Sequence, residues 1–342
     1  MRIAIVTDAW TPQVNGVVRT LQSVTAELRA MGHELCVIAP DLYASVPCPT
    51  YPEIRLALPA PGKVGRTLGA FLPDAVHIAT EGPLGLLARR WCLAQGLPFT
   101  TAYHTQFPEY VAARVRAISP EFVWRYVRWF HAPSAAILAS TPSVAATLAA
   151  HDLPQSRHWG RGVDTALFRA EGPRDAFVSA LPGPVQLYAG RVAVEKNIAT
   201  FLATETPGSK VVVGDGPARA SLAAQYPDVH FLGAKFGEDL AAIYRAADVF
   251  VFPSRTDTFG LVMIEALACG TPVAALPVQG PLDVLAPEVG VMDEALDRAI
   301  KGALTLDRQT CADYGQGFSW RASAEQFLSA LAPIERNLRV AA

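Results

Sequence analysis

Short apolar runs alternate with stretches of helical periodicity along nearly the whole chain. The apolar runs predict strands, and stretches with apolar positions three or four residues apart predict helices. The predicted strands cover 3–6, 34–39, 75–79, 98–103, 135–140, 185–189, 210–213, 230–232, 249–252 and 272–275. The predicted helices include 20–31, 85–95, 199–204 and 261–268. This alternation predicts an α/β protein whose mostly parallel sheets are covered by helices on both faces.

The alternating pattern falls into two blocks, about 1–164 and 165–317. A chain of 342 residues exceeds the usual size of one hydrophobic core, so two domains are expected. The segment 167–184, which contains two Gly-Pro pairs, is predicted to be the linker. The last piece, 318–342, has the apolar spacing of a helix.

Composition then narrows the function classes. The chain has 29 Lys+Arg against 31 Asp+Glu and a formal net charge of -2, which argues against a nucleic-acid-binding protein. Its five cysteines form no C-x-x-C pair, so reduced thiols in a cytoplasmic protein are expected rather than disulfides or a zinc site. The N-terminal apolar stretch is too short for a signal peptide, and Pro133 and Pro142 interrupt the uncharged segment 132–150. We therefore expect neither a leader nor a membrane-spanning helix.

The stretch from Phe252 to Val273 has the most candidate chemistry. It contains a strand end, a polar turn with Asp257, and a helix led by a glycine, with Glu265 eight residues after Asp257. A helix N-terminus suits a phosphate, and carboxylates accept hydrogen bonds from sugar hydroxyls. Asp257 and Glu265 are therefore candidates for binding the hydroxyl groups at the two polyol ends of a nucleotide sugar. The alternative is that Asp257 caps the helix and that Glu265 is a solvated helix residue.

Two further loops follow predicted strands in the second block. One has Gly190, Arg191 and Lys196, and its two cations would neutralise a diphosphate at the carboxyl end of a strand. The other has Gly214, whose freedom permits a tight turn beside a ligand. The alternatives are a solvated loop and a structural turn.

The first block offers three candidates after its strands. Gly16 lies near a helix start, where the backbone can approach a phosphate. His104 and Glu81 each follow a strand, at the edge where open α/β sheets bind ligands. Taken singly, each is as readily a loop, core or turn residue.

Together these motifs resemble those of the family 4 retaining glycosyltransferases, which have the GT-B fold. The branch most similar includes bacterial GDP-mannose-dependent mannosyltransferases and sulfoquinovosyl-diacylglycerol synthases. The motifs that carry the resemblance are TDAWTPQVNGVVRTL from Thr7, HTQF from His104, GVDTALF from Gly162, GRVAVEKN from Gly190, GDGP from Gly214 and the stretch 252–273. The resemblance implies two facing Rossmann-like domains: an acceptor domain over 1–164, a donor domain over 165–317, and a C-terminal helix in 318–342 that returns to the first domain.

The resemblance also implies roles for single residues. His104, Arg191 and Lys196 would be catalytic, with His104 near the transferred sugar and the two cations on the diphosphate. The donor would be bound by Gly16, Gly190, Gly214, Asp257, Phe259, Gly260, Leu261 and Glu265. Two departures stand out, because Asp257 replaces the first Glu of the family's E-x7-E motif and Arg161 stands where Asn is expected.

The implied reaction transfers a hexose from a UDP- or GDP-sugar to a hydroxyl of a lipid or saccharide acceptor. It retains the anomeric configuration and needs neither a metal nor another cofactor. The diphosphate leaving group would take the proton of the incoming hydroxyl, so no protein nucleophile is assigned. Glu81 and Glu109 are candidates for the acceptor site.

The segment 107–131 interleaves aromatic and cationic side chains. This composition suits the headgroup region of an anionic membrane, so peripheral docking on the inner leaflet is one hypothesis. The alternative is a pair of amphipathic helices with their aromatic side chains in the core.

Competing functions are a nucleotide-sugar epimerase or hydrolase on the same fold, and a non-catalytic nucleotide-sugar binding protein. A nicotinamide dehydrogenase fits poorly because the first loop lacks G-x-G-x-x-G.

Overall fold

A computed structural model describes residues 1–13, 15–48, 51–104 and 119–335. The chain forms two compact units. The first unit comprises Met1–Gly160 together with the chain from Arg321 onward, and the second unit comprises Arg161–Trp320.

The first unit is built on a parallel sheet. Its strands are β1 (Arg2–Val6), β2 (Glu34–Ile38), β5 (Ala75–Ile78), β6 (Thr100–Tyr103), β7 (Ala136–Ala139) and β8 (Ser156–His158). Among the described residues they lie in the order β2-β1-β5-β6-β7-β8, and each neighbouring pair is parallel. A small antiparallel hairpin, β3 (Ser45–Cys48) with β4 (Tyr51–Ala57), stands apart from this sheet and was not predicted. The central strands are buried on both faces, which explains their nearly continuous apolar sequences.

Helices follow most strands of the first unit. They are α1 (Gly16–Ala30), α2 (Lys63–Phe71), α3 (Pro83–Ala94), α4 (Pro120–His131) and α5 (Pro142–Ala150), with a 3-10 turn at Pro40–Leu42. Helix α1 begins at Gly16, before the predicted start at Thr20, because the Asn15 side chain accepts hydrogen bonds from the backbone N–H groups of Val17 and Val18.

The second unit repeats the alternation. Its strands are β9 (Val185–Ala189), β10 (Ser209–Val213), β11 (His230–Gly233), β12 (Val249–Phe252), β13 (Val273–Ala275) and β14 (Gly290–Met292). They lie in the order β11-β10-β9-β12-β13-β14, all parallel among the described residues. In chain order within this unit the strands read 3-2-1-4-5-6, the order of dinucleotide-binding α/β sheets.

The helices of the second unit cover its sheet. They are α6 (Ala176–Ser179), α7 (Ile198–Leu202), α8 (Arg219–Gln225), α9 (Gly237–Ala246), α10 (Leu261–Ala268), α11 (Gln279–Val284), α12 (Leu296–Ala303) and α13 (Arg308–Gln316), with a 3-10 turn at Val194–Lys196. The segment 167–184, predicted as a linker, instead packs into this unit, because Phe168 and Val178 are buried in its core.

The chain then passes into α14 (Trp320–Ala330), which from Arg321 onward belongs to the first unit. Phe327 is fully buried there, its ring centroid 4.8 Å from that of His77 and 5.2 Å from that of Trp159. In the described parts of the chain, no helix combines the length and the apolar character needed to cross a bilayer.

Candidate functional site

Each sheet has one point where the strand order reverses, and we call it the switch point. In the second unit it lies between β9 and β12, which run parallel side by side. Their carboxyl ends therefore open at the same edge, where such sheets bind ligands. The side-chain amide of Asn197, in the loop after β9, donates to the carbonyl of Pro253 after β12 at 3.1 Å and ties the two loops together.

Lys196 and Asp257 meet at this switch point. The Nζ of Lys196 lies 2.6 Å from Oδ1 of Asp257, and the two side chains are 24% and 25% exposed. Burial alone would raise the pKa of Asp257, but the charge of Lys196 and its hydrogen bond lower the pKa below its usual value. The carboxylate is therefore ionised at neutral pH. Lys196, predicted to bind the diphosphate, and Asp257, predicted to bind the sugar, are paired with each other.

The glycine loops beside this pair are packed backbone to backbone. Gly214 has φ +135°, and a Cβ built on it would lie 1.8 Å from the carbonyl oxygen of Gly190. Only glycine fits here, so the loops after β9 and β10 are held together by this close approach. The hydroxyl of Tyr188 donates to the carbonyl of Arg191 at 2.8 Å, which fixes the turn that carries the arginine.

Helix α10 begins at the same edge. Its first residue, Leu261, follows Gly260, which has φ +84° and offers no side chain to cap the helix. Phe259 is buried, and its ring packs edge-on against Phe318 with centroids 6.2 Å apart. The backbone N–H groups at this helix start are the kind of donors that bind phosphate.

Glu265 lies within α10 and is buried, so it is not the solvated helix residue of the alternative interpretation. The hydroxyl of Tyr244 on α9 donates to its Oε2 at 3.3 Å. Asp257 does not cap the helix either, since the N-cap position is Gly260. The carboxylate of Glu265 lies in the interior of the second unit. Its role in ribose binding stays a prediction.

Arg161, which stands where the resemblance predicts Asn, is buried in the second unit. Burial lowers the pKa of its guanidinium to about 9. The departure therefore lies in the folded interior and not on the surface.

The switch point of the first unit lies between β1 and β5. Asp8, two residues after β1, is buried, and its carboxylate accepts from the backbone N–H of Leu84 and from the hydroxyl of Thr80, both at 2.9 Å. Burial raises the pKa of Asp8 in spite of these bonds. The aspartate thus caps α3 from across the sheet edge and fills this switch point with the protein's own atoms.

Glu81 lies beside Asp8 and is held from two sides. Its Oε1 lies 3.1 Å from Nε2 of His131, and its carbonyl accepts from the hydroxyl of Tyr126. His131 is fully buried, and its Nδ1 lies 2.8 Å from Oγ1 of Thr101. A carboxylate only accepts hydrogen bonds, so the imidazole presents its Nε2–H to Glu81. The result is a fixed, one-fifth-exposed carboxylate at the sheet edge.

The other predicted residues of the first unit are placed as follows. His104 comes directly after β6, with its ring centroid 5.4 Å from that of Trp159. Gly16 is the first residue of α1, where Asn15 already engages two N–H groups. Glu109 lies outside the described residues.

Only part of the aromatic and cationic segment 107–131 is described, as helix α4. Trp124 and Phe130 are buried in the first unit, whereas Phe122 and Trp129 are 64% and 53% exposed. Arg125 lies on the exposed face between them. The core interpretation thus holds for one face of the helix, and an aromatic–cationic stripe remains on the other.

Sequence reasoning missed the side chains that support the predicted ones. Asn197, Tyr188 and Tyr244 each hold a predicted site residue or its loop, and Asp8 and His131 shape the edge of the first unit. For Asp8 a signal was present, since it lies two residues after a strand. The other contacts join residues that no local pattern connects.

Comparisons with known proteins place the chain among sugar-transferring enzymes. The sequence profile of Glycosyltransferase Family 4 matches residues 14–167, and that of Glycosyl transferases group 1 matches residues 183–303. A GDP-mannose-dependent alpha-mannosyltransferase of Mycolicibacterium smegmatis is 33% identical over 311 residues, which cover 84% of this chain and 82% of that protein. An alpha-monoglucosyldiacylglycerol synthase of Streptococcus pneumoniae is 28% identical over 312 residues, covering 80% of this chain and 71% of the relative.

Among solved structures, the chain is similar to sucrose-phosphate synthase from Thermosynechococcus elongatus. The TM-score is 0.75 at 23% sequence identity, and the match covers 96% of this chain and 97% of that one. At this identity the likeness concerns the fold.

Proposed function

The chain belongs to glycosyltransferase family 4 and has the GT-B fold of two Rossmann-like units. We propose that it transfers a hexose from a nucleotide-diphosphate sugar to a hydroxyl acceptor. The transfer retains the anomeric configuration and needs no metal. The resemblance expected from the sequence motifs and the predicted fold class are both confirmed. GDP-mannose is the first donor to test, because a relative at 33% identity is described as GDP-mannose-dependent. The observation that carries the proposal is the convergence of Lys196, Asp257 and the start of α10 at one switch point.

In this proposal the second unit is the donor domain. Lys196 and Arg191 neutralise the diphosphate, and the backbone N–H groups of residues 259–261 bind the sugar and phosphates. Asp257 accepts hydrogen bonds from sugar hydroxyls. The glycine loops at 190 and 214 let the backbone approach the donor. Glu265 is assigned to the ribose and Gly16 to the donor phosphates, both as proposals.

The reaction follows from this charge distribution. The bond between the anomeric carbon and the β-phosphate oxygen breaks, and the two cations stabilise the negative charge that develops on the leaving diphosphate. The acceptor oxygen forms the new bond on the same face of the sugar. Its proton passes to the departing phosphate oxygen, so the atoms balance without a protein nucleophile. His104 is proposed to contact the transferred sugar near the reacting carbon.

In the same proposal the first unit is the acceptor domain, and Glu81 binds an acceptor hydroxyl. The support is its geometry, since His131 holds one carboxylate oxygen and Tyr126 holds its carbonyl. Among the described residues, its second carboxylate oxygen has no partner and can accept from a hydroxyl. Glu109 stays a candidate for the same site.

We further propose that the acceptor is a lipid or glycolipid and that the exposed stripe of α4 docks on the inner leaflet. Phe122 and Trp129 would enter the headgroup region while Arg125 meets anionic headgroups. A vesicle-flotation assay tests this, with phosphatidylglycerol vesicles at low and high salt. We expect binding at low salt that Phe122→Ser weakens, whereas Phe177→Ser, at an exposed phenylalanine of the second unit, serves as the matched control. No binding at low salt would remove the membrane proposal and leave the saccharide acceptor.

The donor proposal is tested by calorimetry with a panel of GDP- and UDP-sugars, on wild type and Lys196→Ala. We expect one donor to bind wild type and fail to bind the variant, and Lys301→Ala, at an exposed lysine on α12, to bind like wild type. The product formed from that donor should keep the anomeric configuration, as read by NMR, with and without a chelator. Failure of every donor to bind, or an epimerised donor, would contradict the proposal.

A further inference from the structure

The ion pair at the switch point is more sheltered from water than two exposed ion pairs of the second unit. Lys196 and Asp257 are each about a quarter exposed, whereas Arg255 and Glu294 are 50% and 63% exposed, and Lys301 and Asp297 are 60% and 42% exposed. A pair sheltered from water is strengthened by the lower dielectric, and breaking it leaves an uncompensated charge. The partners of this pair are therefore interdependent in a way that the exposed pairs are not.

A diphosphate bound at Lys196 would compete with Asp257 for the same cation. A diphosphate that takes Lys196 removes the cation that Asp257 uses, and a sheltered carboxylate without a partner raises the free energy of the complex. Sugar hydroxyls offer Asp257 replacement hydrogen bonds. A nucleoside diphosphate without a sugar offers none.

We propose that the Lys196–Asp257 pair makes this site discriminate between a nucleotide-diphosphate sugar and the sugar-free nucleoside diphosphate that remains after transfer. This inference rests on the proposed function, since it assumes that the diphosphate lies at Lys196. When the sugar leaves, Asp257 loses its hydroxyl partners and recaptures Lys196. The pair thus favours donor binding and weakens the hold on the spent nucleotide.

Three features favour the recapture. Asn197 binds the carbonyl of Pro253, so the two loops that carry the pair stay at a fixed spacing. The arm of Asp257 is one methylene shorter than the glutamate of the family motif, so its carboxylate has fewer rotamers and returns to the same position. Because Lys196 holds the pKa of Asp257 below its usual value, the carboxylate is charged and able to recapture the lysine at neutral pH.

The test is calorimetric titration of wild type and Asp257→Asn with two ligand pairs, GDP with GDP-mannose and UDP with UDP-glucose. In wild type we expect the sugar nucleotide of one pair to bind more tightly than its diphosphate. In Asp257→Asn the diphosphate should bind roughly 5-fold or more tightly than it binds wild type, because Lys196 is released, while the sugar nucleotide binds more weakly. Asp297→Asn, which changes an exposed aspartate paired with Lys301 on α12, should leave both affinities unchanged.

In Asp257→Asn the affinity for the diphosphate should rise while the affinity for the sugar nucleotide falls, so the inference and the proposed function can fail separately. A diphosphate affinity that is unchanged or lower in Asp257→Asn overturns the inference, even when the sugar nucleotide binds wild type as proposed. Failure of all four ligands to bind wild type contradicts the proposed function and the inference with it. Thermal unfolding checks that Asp257→Asn folds. If it does not fold, Asp257→Ser, which removes the charge with a smaller side chain, takes its place, and the same changes in affinity are expected.

Discussion

The switch points of the two sheets are occupied in different ways. In the first unit, Asp8 spans the gap between β1 and β5 and caps α3, so the protein's own oxygen atoms satisfy the helix N–H groups. In the second unit, the gap between β9 and β12 holds the ion pair of Lys196 with Asp257, and α10 begins at a glycine with no capping side chain. The same parallel-sheet architecture thus has a capped helix start at one switch point and, at the other, an uncapped helix start beside an ion pair.

This difference supports assigning the donor to the second unit. Asp8 caps the start of α3, whereas the uncapped start of α10 beside a lysine offers a phosphate both N–H groups and charge. The first unit instead presents Glu81, a carboxylate held by a buried histidine, which suits a neutral hydroxyl group.

Lys196→Ala should have the largest effect, because it removes a cation that we propose stabilises the leaving group. We expect kcat/KM to fall roughly 100-fold or more in a donor-consumption assay. Lys301→Ala should stay within about twofold of wild type, since surface pairs of this kind contribute little. A small loss in Lys196→Ala would mean that the diphosphate does not bind at Lys196.

Gly214→Ala should destabilise the second unit by about 3 kcal/mol, because the added Cβ would collide with the carbonyl of Gly190. Gly237→Ala is the matched control, since Gly237 has φ +55° and a Cβ there would meet nothing within 4 Å. The control should lose only about 1 kcal/mol, the strain of the left-handed backbone. Urea unfolding of both variants measures the two losses, and equal losses would contradict the close-approach argument.

His77 should make the stability of the first unit fall at mildly acidic pH, whereas the Lys196–Asp257 ion pair should not do this in the second unit. Burial lowers the pKa of this fully buried histidine to about 3, below the unfolded value of 6.5. The unfolded chain therefore binds the proton first, so this contribution to stability is complete above pH 6.5 and declines as the pH falls towards 3. The low pKa of Asp257 keeps its own contribution until more acidic pH.

Between pH 7 and pH 5, the histidine should lower the free energy of unfolding by about 2 kcal/mol. We expect hydrogen exchange to show strands β5 and β6 losing protection before β9 and β10 as the pH is lowered. His77→Phe should remove this part of the pH dependence, whereas His230→Phe in the second unit should keep it. Parallel loss in both units would show that the buried histidine does not set the difference.

Asn15→Ala should have the smallest effect, because it removes one N-cap from a helix that also packs on the sheet. We expect a loss of about 1 kcal/mol in the free energy of unfolding of the first unit. Denaturant unfolding measures it, and Asn15→Ser, which keeps a capping oxygen, should recover most of the loss. No change would mean that α1 does not depend on its cap.

Local patterns in the sequence predicted much of the fold. The strands 185–189 and 249–252 and the helix 261–268 have the predicted bounds, since short apolar runs and helical spacing act over a few residues. The hairpin at 45–57 was missed, and 167–184 was wrongly predicted as a linker. Gly-Pro pairs indicate turns, but they do not indicate whether neighbouring apolar side chains such as Phe168 pack into a core.

The candidate site divides in the same way. The sequence alone determined which residues follow strands, and therefore that Lys196, Asp257 and Glu81 lie at carboxyl edges of parallel sheets. Only the tertiary structure decided which of them meet. Lys196 forms an ion pair with Asp257, Asp8 caps the start of α3, and Glu81 contacts His131. These contacts form because strands that are distant in the chain are neighbours in the sheet. Strand order and burial arise from the packing of the whole chain, and they decide whether a charge is paired, shielded or available to a ligand.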